Sequence, residues 1–302
     1  GVLLALCFAR SSGALEWELE AARGGTRRDE RSDFASPSPV SDGQHAWFLF
    51  GNGVLLCSDL AGKELWKRDL QAELGTWAYQ WTYGASPTLW RGKLYLPVLQ
   101  RDQPTDGSKA DEKIPSYLLA LDAASGKTLF QVDRPAPAKM ESLESYATAV
   151  PFEGAARREL LVVGGDVITG HDPDSGAELW RWGTWNEGHR EPWWRLVPTP
   201  VVGAGSVLVC APKRAPIYCL ELGGSGMLDE QALVWKSSGR PNRVSSDVPT
   251  PLFYQGDFFV LSDVERALSR LDPANGAVKW ATELPEGGPW EASPTPSFKT
   301  HP

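Results

Sequence analysis

The 302-residue sequence contains few of the residues that build metal, redox or nucleophile sites. It has four cysteines and four histidines, and neither a CxxC pair nor a metal-ligand spacing connects them. The GxSxG, GxGxxG and phosphate-loop motifs are also absent. The sequence therefore carries no strong signature of an enzyme.

Basic charge is scarce as well. The chain has 30 Lys and Arg residues against 38 Asp and Glu residues, a formal net charge of -8. Nucleic-acid binding needs a basic surface, so an acidic chain argues against nucleic acid and against an anionic membrane surface as partners. No apolar run is long enough for a transmembrane helix. Residues 2–9 are apolar, but no basic leader precedes them and they continue into a repeat, which favours a strand over a targeting segment.

The sequence also lacks a sustained helical periodicity, and this disfavours α-solenoids and parallel α/β folds. The sequence instead repeats one phrase: an apolar run, Asp, a short turn that ends in Gly, and an aromatic residue four positions after that Gly. The clean copies are at 119–130, 172–180 and 271–280; altered copies are at 7–17 and 56–66. A degenerate sixth copy, residues 217–235, carries a Gly-rich insertion. A period of roughly 50 residues is typical of solenoids and propellers.

A second phrase precedes the aromatic residue of each repeat. Ser-Pro or Thr-Pro enters a short apolar run that stops at a Gly turn, as at 86–92, 199–205 and 250–256, so one repeat contains four short strands. Radial stacking buries both faces of such units. The prediction is an all-β fold, a single β-propeller domain over residues 1–302 with five full four-stranded antiparallel blades and partial blades at both ends. The partial units could complete a six-bladed ring; we favour an arc, truncated at both ends, of a seven- or eight-bladed propeller.

The repeated residues have structural explanations. The repeated Asp precedes a turn, and its carboxylate can accept hydrogen bonds from the backbone amides of that turn. The Gly supplies the positive φ that the turn needs. The repeated tryptophans are predicted to wedge between blades as core residues; they are Trp17, Trp66, Trp180, Trp235 and Trp280. Cys210 and Cys219 could face each other across a hairpin, and whether they form a disulfide stays open.

The run Ala120-Leu121-Asp122-Ala123-Ala124-Ser125-Gly126-Lys127 resembles the repeat of the PQQ-like, or quinoprotein-type, β-propellers. That bacterial superfamily includes the quinoprotein alcohol dehydrogenases and the lipoprotein scaffold of the outer-membrane β-barrel assembly machine. The runs at 34–39, 194–200 and 245–251 look like exported PQQ-like repeat proteins of planctomycete-type bacteria. This resemblance implies a periplasmic or exported location.

Loop lengths predict where function lies. The turns between the first and second and between the third and fourth strands of each blade are expected to be short throughout, so the long connections crowd the opposite end. The candidate ligand-binding residues on those connections are Trp77, Trp81, Trp182, Trp185, His189, Arg190, Trp193, Trp194 and Arg195. These tryptophans could alternatively pin the long connections to the scaffold.

Three functional classes are compatible with the sequence. The first, which we favour, is a non-enzymatic scaffold that holds a protein, peptide or glycan partner on the loop-rich face and needs no cofactor. The second is a PQQ-dependent periplasmic dehydrogenase with PQQ and Ca²⁺, although the adjacent-cysteine disulfide of many such enzymes and a recognisable Ca²⁺ ligand set are missing. The third is a carbohydrate-active protein that uses Glu187 and Glu191.

Overall fold

The computed structural model describes residues 1–23, 32–183, 185–239, 242–287 and 290–296, and strands dominate it. The described residues form two compact units, 1–135 and 136–302. No described helix is long and apolar enough to cross a bilayer. The prediction of a single domain over the whole chain stays a prediction.

The first unit contains a two-stranded sheet and two four-stranded antiparallel blades. Its strands are β1 (Val2–Phe8), β2 (Leu15–Arg23), β3 (Val40–Ser41), β4 (His45–Leu49), β5 (Val54–Asp59), β6 (Glu64–Asp69), β7 (Thr88–Trp90), β8 (Lys93–Val98), β9 (Tyr117–Asp122) and β10 (Thr128–Asp133). A short helix, α1 (Leu70–Leu74), follows β6, and the Asp69 carboxylate caps it by accepting from the Ala72 amide. β1–β2 form blade 0, β3–β6 form blade 1 and β7–β10 form blade 2.

The second unit contains three blades. Its strands are β11 (Val150–Glu153), β12 (Arg158–Gly164), β13 (Val167–His171), β14 (Glu178–Trp182), β15 (Val201–Gly203), β16 (Ser206–Cys210), β17 (Ile217–Glu221), β18 (Gly226–Met227), β19 (Leu233–Lys236), β20 (Leu252–Tyr254), β21 (Asp257–Ser262), β22 (Ala267–Leu271) and β23 (Val278–Glu283). Short 3-10 helices lie at Met140–Leu143, Glu187–His189 and Glu230–Ala232. β11–β14 form blade 3, β15–β17 with β19 form blade 4, and β20–β23 form blade 5.

Burial explains the difference between inner and outer strands. β9 and β16 are buried along almost their whole length and read as continuous apolar runs, because both of their faces are covered. β6 and β10 have exposed residues alternating with half-buried ones, which matches the two-residue period of a strand with one wet face. The five four-stranded blades and the partial N-terminal blade confirm the predicted architecture. The C-terminal partial blade falls mainly on residues 297–302, which lie outside the described part of the chain.

The repeated Asp residues organise turns, as predicted. The Asp122 carboxylate accepts from the amide and the hydroxyl of Ser125, at 2.8 and 2.6 Å, and the Asp172 carboxylate accepts from the Ser175 amide at 2.7 Å. The hydrogen bonds from Ser125 hold the pKa of Asp122 below its ordinary value. These carboxylates are therefore occupied by their own turns.

Three repeated tryptophans join neighbouring blades, as predicted. The indole nitrogen of Trp66 donates to the carbonyl of Ala123 in the next blade at 3.1 Å. Trp17 and Trp235 make the equivalent bonds to Leu60 and Pro273, at 3.0 and 2.7 Å. Each ring packs against the Gly of the next blade's turn so closely that a Cβ at that Gly would lie 2.6–2.8 Å from a ring atom.

Two repeated tryptophans differ from the prediction. Trp280 keeps 40% of its surface exposed and packs against Phe259 of its own blade, with the ring centroids 6.1 Å apart. Trp180 is buried, but its indole donates to the buried Glu159 carboxylate of its own blade at 2.6 Å. Trp180 is therefore a core residue that lacks the hydrogen bond to a neighbouring turn.

The contact between ring and glycine can be tested with two matched substitutions. Gly126→Ala and Gly92→Ala both place a side chain at positive φ, +69° and +76°, a cost of about 1–2 kcal/mol. A Cβ on Gly126 would also lie 2.8 Å from the Trp66 ring, whereas the space at Gly92 is open. We expect Gly126→Ala to lose a further 1–3 kcal/mol or so through overpacking. Urea denaturation measures both losses, and equal losses would contradict the docking role of Trp66.

The third-to-fourth-strand turn of blade 4 corrects the expectation that these turns are short throughout. Residues 222–232 replace the Asp-Gly turn and contain β18, which pairs in parallel with β14 of blade 3. The sequence shows that glycines interrupt this repeat but gives no sign that the inserted segment joins a neighbouring sheet.

The cysteines of blade 4 are free thiols. Cys219 lies opposite Leu208 and Cys210 lies opposite Ile217, so the two cysteines are offset by two residue pairs along the hairpin. Both are buried, and burial raises the pKa of Cys219 to about 11. They act as core residues of the hydrophobic cluster between blades 4 and 5.

Candidate functional site

The turns between second and third strands meet the connections between blades at one end of each unit. In the first unit, the Leu70 amide donates to the Gly53 carbonyl at 3.0 Å, which joins the β4–β5 turn to the connection after β6. In the second unit, the Lys213 amide donates to the Asp247 carboxylate at 2.8 Å, which joins the β16–β17 turn to the connection after β19. Each unit therefore has a loop-bearing end, where the candidate residues lie.

The aromatic residues of the first unit are mainly interior. Trp77, Tyr79 and Tyr83 are buried, and the Trp77 indole donates to the Tyr117 hydroxyl at 3.0 Å. Burial raises the pKa of Tyr117 to about 12. Trp81 is half-buried beside a cavity of about 110 Å³. Of the two candidates in this unit, Trp77 is a core residue, and Trp81 retains accessible surface.

Trp182 and Trp185 of the second unit are also core residues rather than surface platforms. Both are buried and they enclose Tyr218, whose ring centroid lies 5.2 Å from that of Trp182 and 6.3 Å from that of Trp185. Trp182 ends β14, so its ring is directed by the strand into the space between blades 3 and 4. For these two residues, the alternative that the tryptophans pin the loops is the one the structure supports.

Arg195 is buried in an ion-pair network. Its guanidinium donates to both oxygens of Asp247, at 2.9 and 3.1 Å, and lies 3.8 Å from a Glu141 oxygen. Asp247 is 52 residues away in the next inter-blade connection. Arg195 therefore cross-links two connections, and its charge is neutralised by carboxylates of the protein itself.

His189 is held by a buried carboxylate that follows β12. The Asp166 side chain is 1% exposed, and its Oδ2 accepts from Asn186 at 2.9 Å and contacts the His189 Nδ1 at 3.0 Å. Burial raises the pKa of Asp166, and the hydrogen bonds from His189 and Asn186 oppose that rise. The pair fixes the position of His189 and leaves the other face of its ring partly exposed.

Residues 186–194, which we call the braced loop, are tied down by buried polar groups. Asn186 donates to the Glu191 carbonyl at 3.0 Å and accepts from the Glu191 amide at 3.1 Å. Ser142 supplies three more bonds: its hydroxyl donates to the Glu191 carbonyl at 2.6 Å and accepts from the Trp194 amide at 2.8 Å, and its amide donates to the Pro192 carbonyl at 3.0 Å. The backbone of the loop is therefore fixed from both sides.

The braced loop presents an aromatic and a basic side chain to solvent, together with the exposed Glu187. Trp193 is 49% exposed, and Arg190 is exposed, with one Glu191 oxygen 3.8 Å away. Trp194 is half-buried and packs on the core of the unit. Of the seven candidates in this unit, Trp193 and Arg190 form the accessible surface, and His189 borders them.

Sequence reasoning missed the residues that make this surface rigid. Asp166, Asn186 and Ser142 form hydrogen bonds with residues of the braced loop, which is not part of the repeated pattern. Asp166 has a positive φ of +67° after two glycines, which is the one local signal of an unusual turn. Asn186 and Ser142 give no such signal, because their partners are remote in sequence or belong to the backbone.

The described residues offer no cluster of acidic, His or Cys side chains for the Ca²⁺ ion of a quinoprotein. No group of three or more His, Cys, Asp or Glu side chains in the described ranges is arranged to hold a metal ion. Calcium requires six to eight oxygen ligands. The cysteines are separate free thiols.

Comparisons with known proteins agree on the architecture. A family model described as "Outer membrane protein assembly factor BamB" matches residues 4–282. The structure of BamB from Moraxella catarrhalis is 16% identical with a TM-score of 0.59, and the match covers 90% of this chain and 68% of that one. A europium-containing methanol dehydrogenase is 11% identical with a TM-score of 0.61, over 92% of this chain and 67% of that one.

A quinohemoprotein alcohol dehydrogenase from Comamonas testosteroni extends the likeness. It is 10% identical with a TM-score of 0.52, over 97% of this chain and 65% of that one. No curated protein sequence matches the chain. At these identities the structural likeness shows the fold alone, and it confirms a β-propeller built from PQQ-like repeats.

Proposed function

Because the chain belongs to the family of the outer membrane protein assembly factor BamB, we propose that it is a non-catalytic scaffold that captures a protein partner on the braced loop. Under this proposal it works outside the cytoplasm, in the bacterial cell envelope, as the family description suggests. The observation that carries the proposal is Trp193, a half-exposed tryptophan on a loop whose backbone is fixed by buried hydrogen bonds.

Preorganisation makes such a residue an effective contact. Tryptophan and arginine dominate binding energy at protein interfaces, and the braced loop exposes one of each, Trp193 and Arg190. Ordering a flexible loop on binding would cost free energy. Here the bonds to Ser142 and Asn186 have already ordered the loop, so more of the contact energy remains for the partner.

A protein partner is favoured over a glycan. Glycan recognition would use several accessible aromatic platforms, but Trp77, Trp182 and Trp185 are buried. What remains on the braced loop is a single exposed indole beside an exposed guanidinium. This pairing matches the composition of a protein interface, which is enriched in aromatic residues and Arg.

The proposal predicts the effect of truncating Trp193. Trp193→Ala should reduce partner capture at least about tenfold, the loss expected for an aromatic hot-spot residue, while the free energy of unfolding changes by no more than about 0.5 kcal/mol. Immobilised protein would be incubated with a cell-envelope extract, and captured proteins quantified by mass spectrometry. Trp280→Ala is the matched control, since it removes another half-exposed tryptophan outside the braced loop. Equal capture by the unmodified chain, Trp193→Ala and Trp280→Ala would refute the proposal.

A separate measurement addresses the dehydrogenase alternative. The purified chain would be titrated with PQQ and Ca²⁺ while Trp fluorescence and dye reduction with simple alcohols and aldose sugars are followed. Saturable binding with turnover would replace the scaffold proposal by a quinoprotein function.

A further inference from the structure

The inserted segment of blade 4, residues 222–232, leaves β17 and enters β19 at the end of the second unit opposite to the braced loop, and it runs along the edge strand β14 of blade 3. Third-to-fourth-strand turns of an antiparallel blade are placed at that end by topology. In the other four-stranded blades described here, this turn is a short Asp-Gly turn. The insertion is therefore a local addition to the repeat, and the role proposed for the braced loop does not account for it.

The insertion is ordered by hydrogen bonds to blade 3. Gly226 and Met227 pair in parallel with Trp180 and Arg181, and the Leu228 amide donates to the Arg181 carbonyl at 2.8 Å. The Trp182 indole donates to the Asp229 carbonyl at 3.2 Å. Arg157 of blade 3 also donates to the Gly224 carbonyl. The insertion thus has a fixed shape.

That shape exposes an apolar side chain beside a cavity. Met227 is 77% exposed and borders a cavity of about 410 Å³, whose apolar lining includes Leu222, Leu228 and Ala232. An unbranched, polarizable Met side chain adapts to varied partners and is frequent on binding surfaces. The cavity is large enough to admit an apolar side chain from a partner.

The net charge around this cavity is negative. Arg157 and Arg181 of blade 3 lie beside the insertion, but they are paired with the carboxylates of Glu159 and Glu178. Residues 215–235 contain Glu221, Asp229 and Glu230 but no Lys or Arg. Glu221 and Asp229 line the cavity, and the Asp229 carboxylate also accepts from the Gln231 amide at 2.9 Å. A positive ligand is therefore favoured, whereas a second copy of this chain, with a net charge of -8, is disfavoured.

We infer that the insertion is a second docking surface, which takes a basic, apolar peptide segment of a protein partner. An aliphatic or aromatic side chain of the segment fills the cavity against Met227, and its flanking Lys or Arg residues face Glu221, Asp229 and Glu230. This surface is separate from the braced loop, so its occupancy does not depend on the proposed function of Trp193.

The test uses a defined probe. A fluorescein-labelled peptide of alternating Leu and Lys residues would be titrated with the full chain, and binding followed by fluorescence anisotropy at low and moderate salt. We expect saturable binding that weakens with salt and falls at least tenfold for Met227→Ser and for Glu221→Lys combined with Glu230→Lys. A peptide with Glu in place of Lys should not bind. Melting curves establish that each variant is folded, and these exposed positions should leave them unchanged.

Three controls separate this surface from others. Leu129→Ala removes an exposed Leu elsewhere, Glu283→Lys reverses a distant exposed carboxylate, and Trp193→Ala changes the braced loop; all three should bind the Leu-Lys peptide like the unmodified chain. Absence of binding by the unmodified chain, binding of the Glu-containing peptide with similar affinity, or full binding by the Met227 and Glu221/Glu230 variants would overturn the inference. Loss of binding in Trp193→Ala would also overturn it, because the peptide would then occupy the braced loop.

Discussion

Replacing Trp180 with Ala should lower the free energy of unfolding by about 3–5 kcal/mol, the usual cost of removing a fully buried tryptophan. Trp180 lies in the cluster between blades 3 and 4, with Ile168 and Leu220 among its neighbours. Its indole also donates to Glu159 at 2.6 Å. The substitution therefore creates a cavity and removes one of the two partners of a fully buried carboxylate, the other being Arg157 at 2.8 Å.

Urea denaturation followed by circular dichroism would measure this loss. Trp180→Phe separates its causes, because Phe restores much of the ring volume but cannot donate to Glu159. We expect Trp180→Phe to be less stable than the unmodified chain and more stable than Trp180→Ala. Trp193→Ala serves as the surface control. A loss near zero in Trp180→Ala would contradict the assignment of Trp180 to the blade core.

Replacing Arg195 with Met should cost about 3–5 kcal/mol, the range for breaking a buried ion pair by removing one partner. Met keeps the apolar stem but leaves Asp247 and Glu141 without the guanidinium that neutralises them. The two connections that Arg195 joins would lose their cross-link. The expected result is a lower unfolding temperature, not a selective loss of ligand binding.

A double-mutant cycle provides the control for this prediction. Asp247→Asn combined with Arg195→Met removes both charges of the principal pair, so the double variant should lose less stability than the sum of the single variants. Thermal denaturation of the four proteins measures the coupling. If Arg195→Met melts like the unmodified chain and loses only partner capture, Arg195 is a binding residue and the structural assignment is wrong.

The candidate site illustrates how far sequence reasoning reached. Trp193 and Arg190 were correctly placed on an accessible loop, because the loop departs from the repeat and is rich in aromatic and charged residues. Trp77, Trp182 and Trp185 come from the same kind of segment but are buried. Irregular connections have no period of two or 3.6 residues, so nothing in their sequence distinguishes an inward tryptophan from an outward one.

The sequence by itself determined the features that depend on local chemistry. The Asp-to-Gly turn with an aromatic residue four positions after its Gly recurs in blades 1, 2, 3 and 5, and the outer strands β6 and β10 alternate, since each feature arises from hydrogen bonds and dihedral preferences within a few residues. Tertiary structure decided everything that depends on distant partners. Arg195 meets Asp247 across 52 positions, Ser142 fixes the backbone around Glu191, and the insertion of blade 4 joins β14. Such contacts are selected by the packing of whole blades, which no short stretch of sequence specifies.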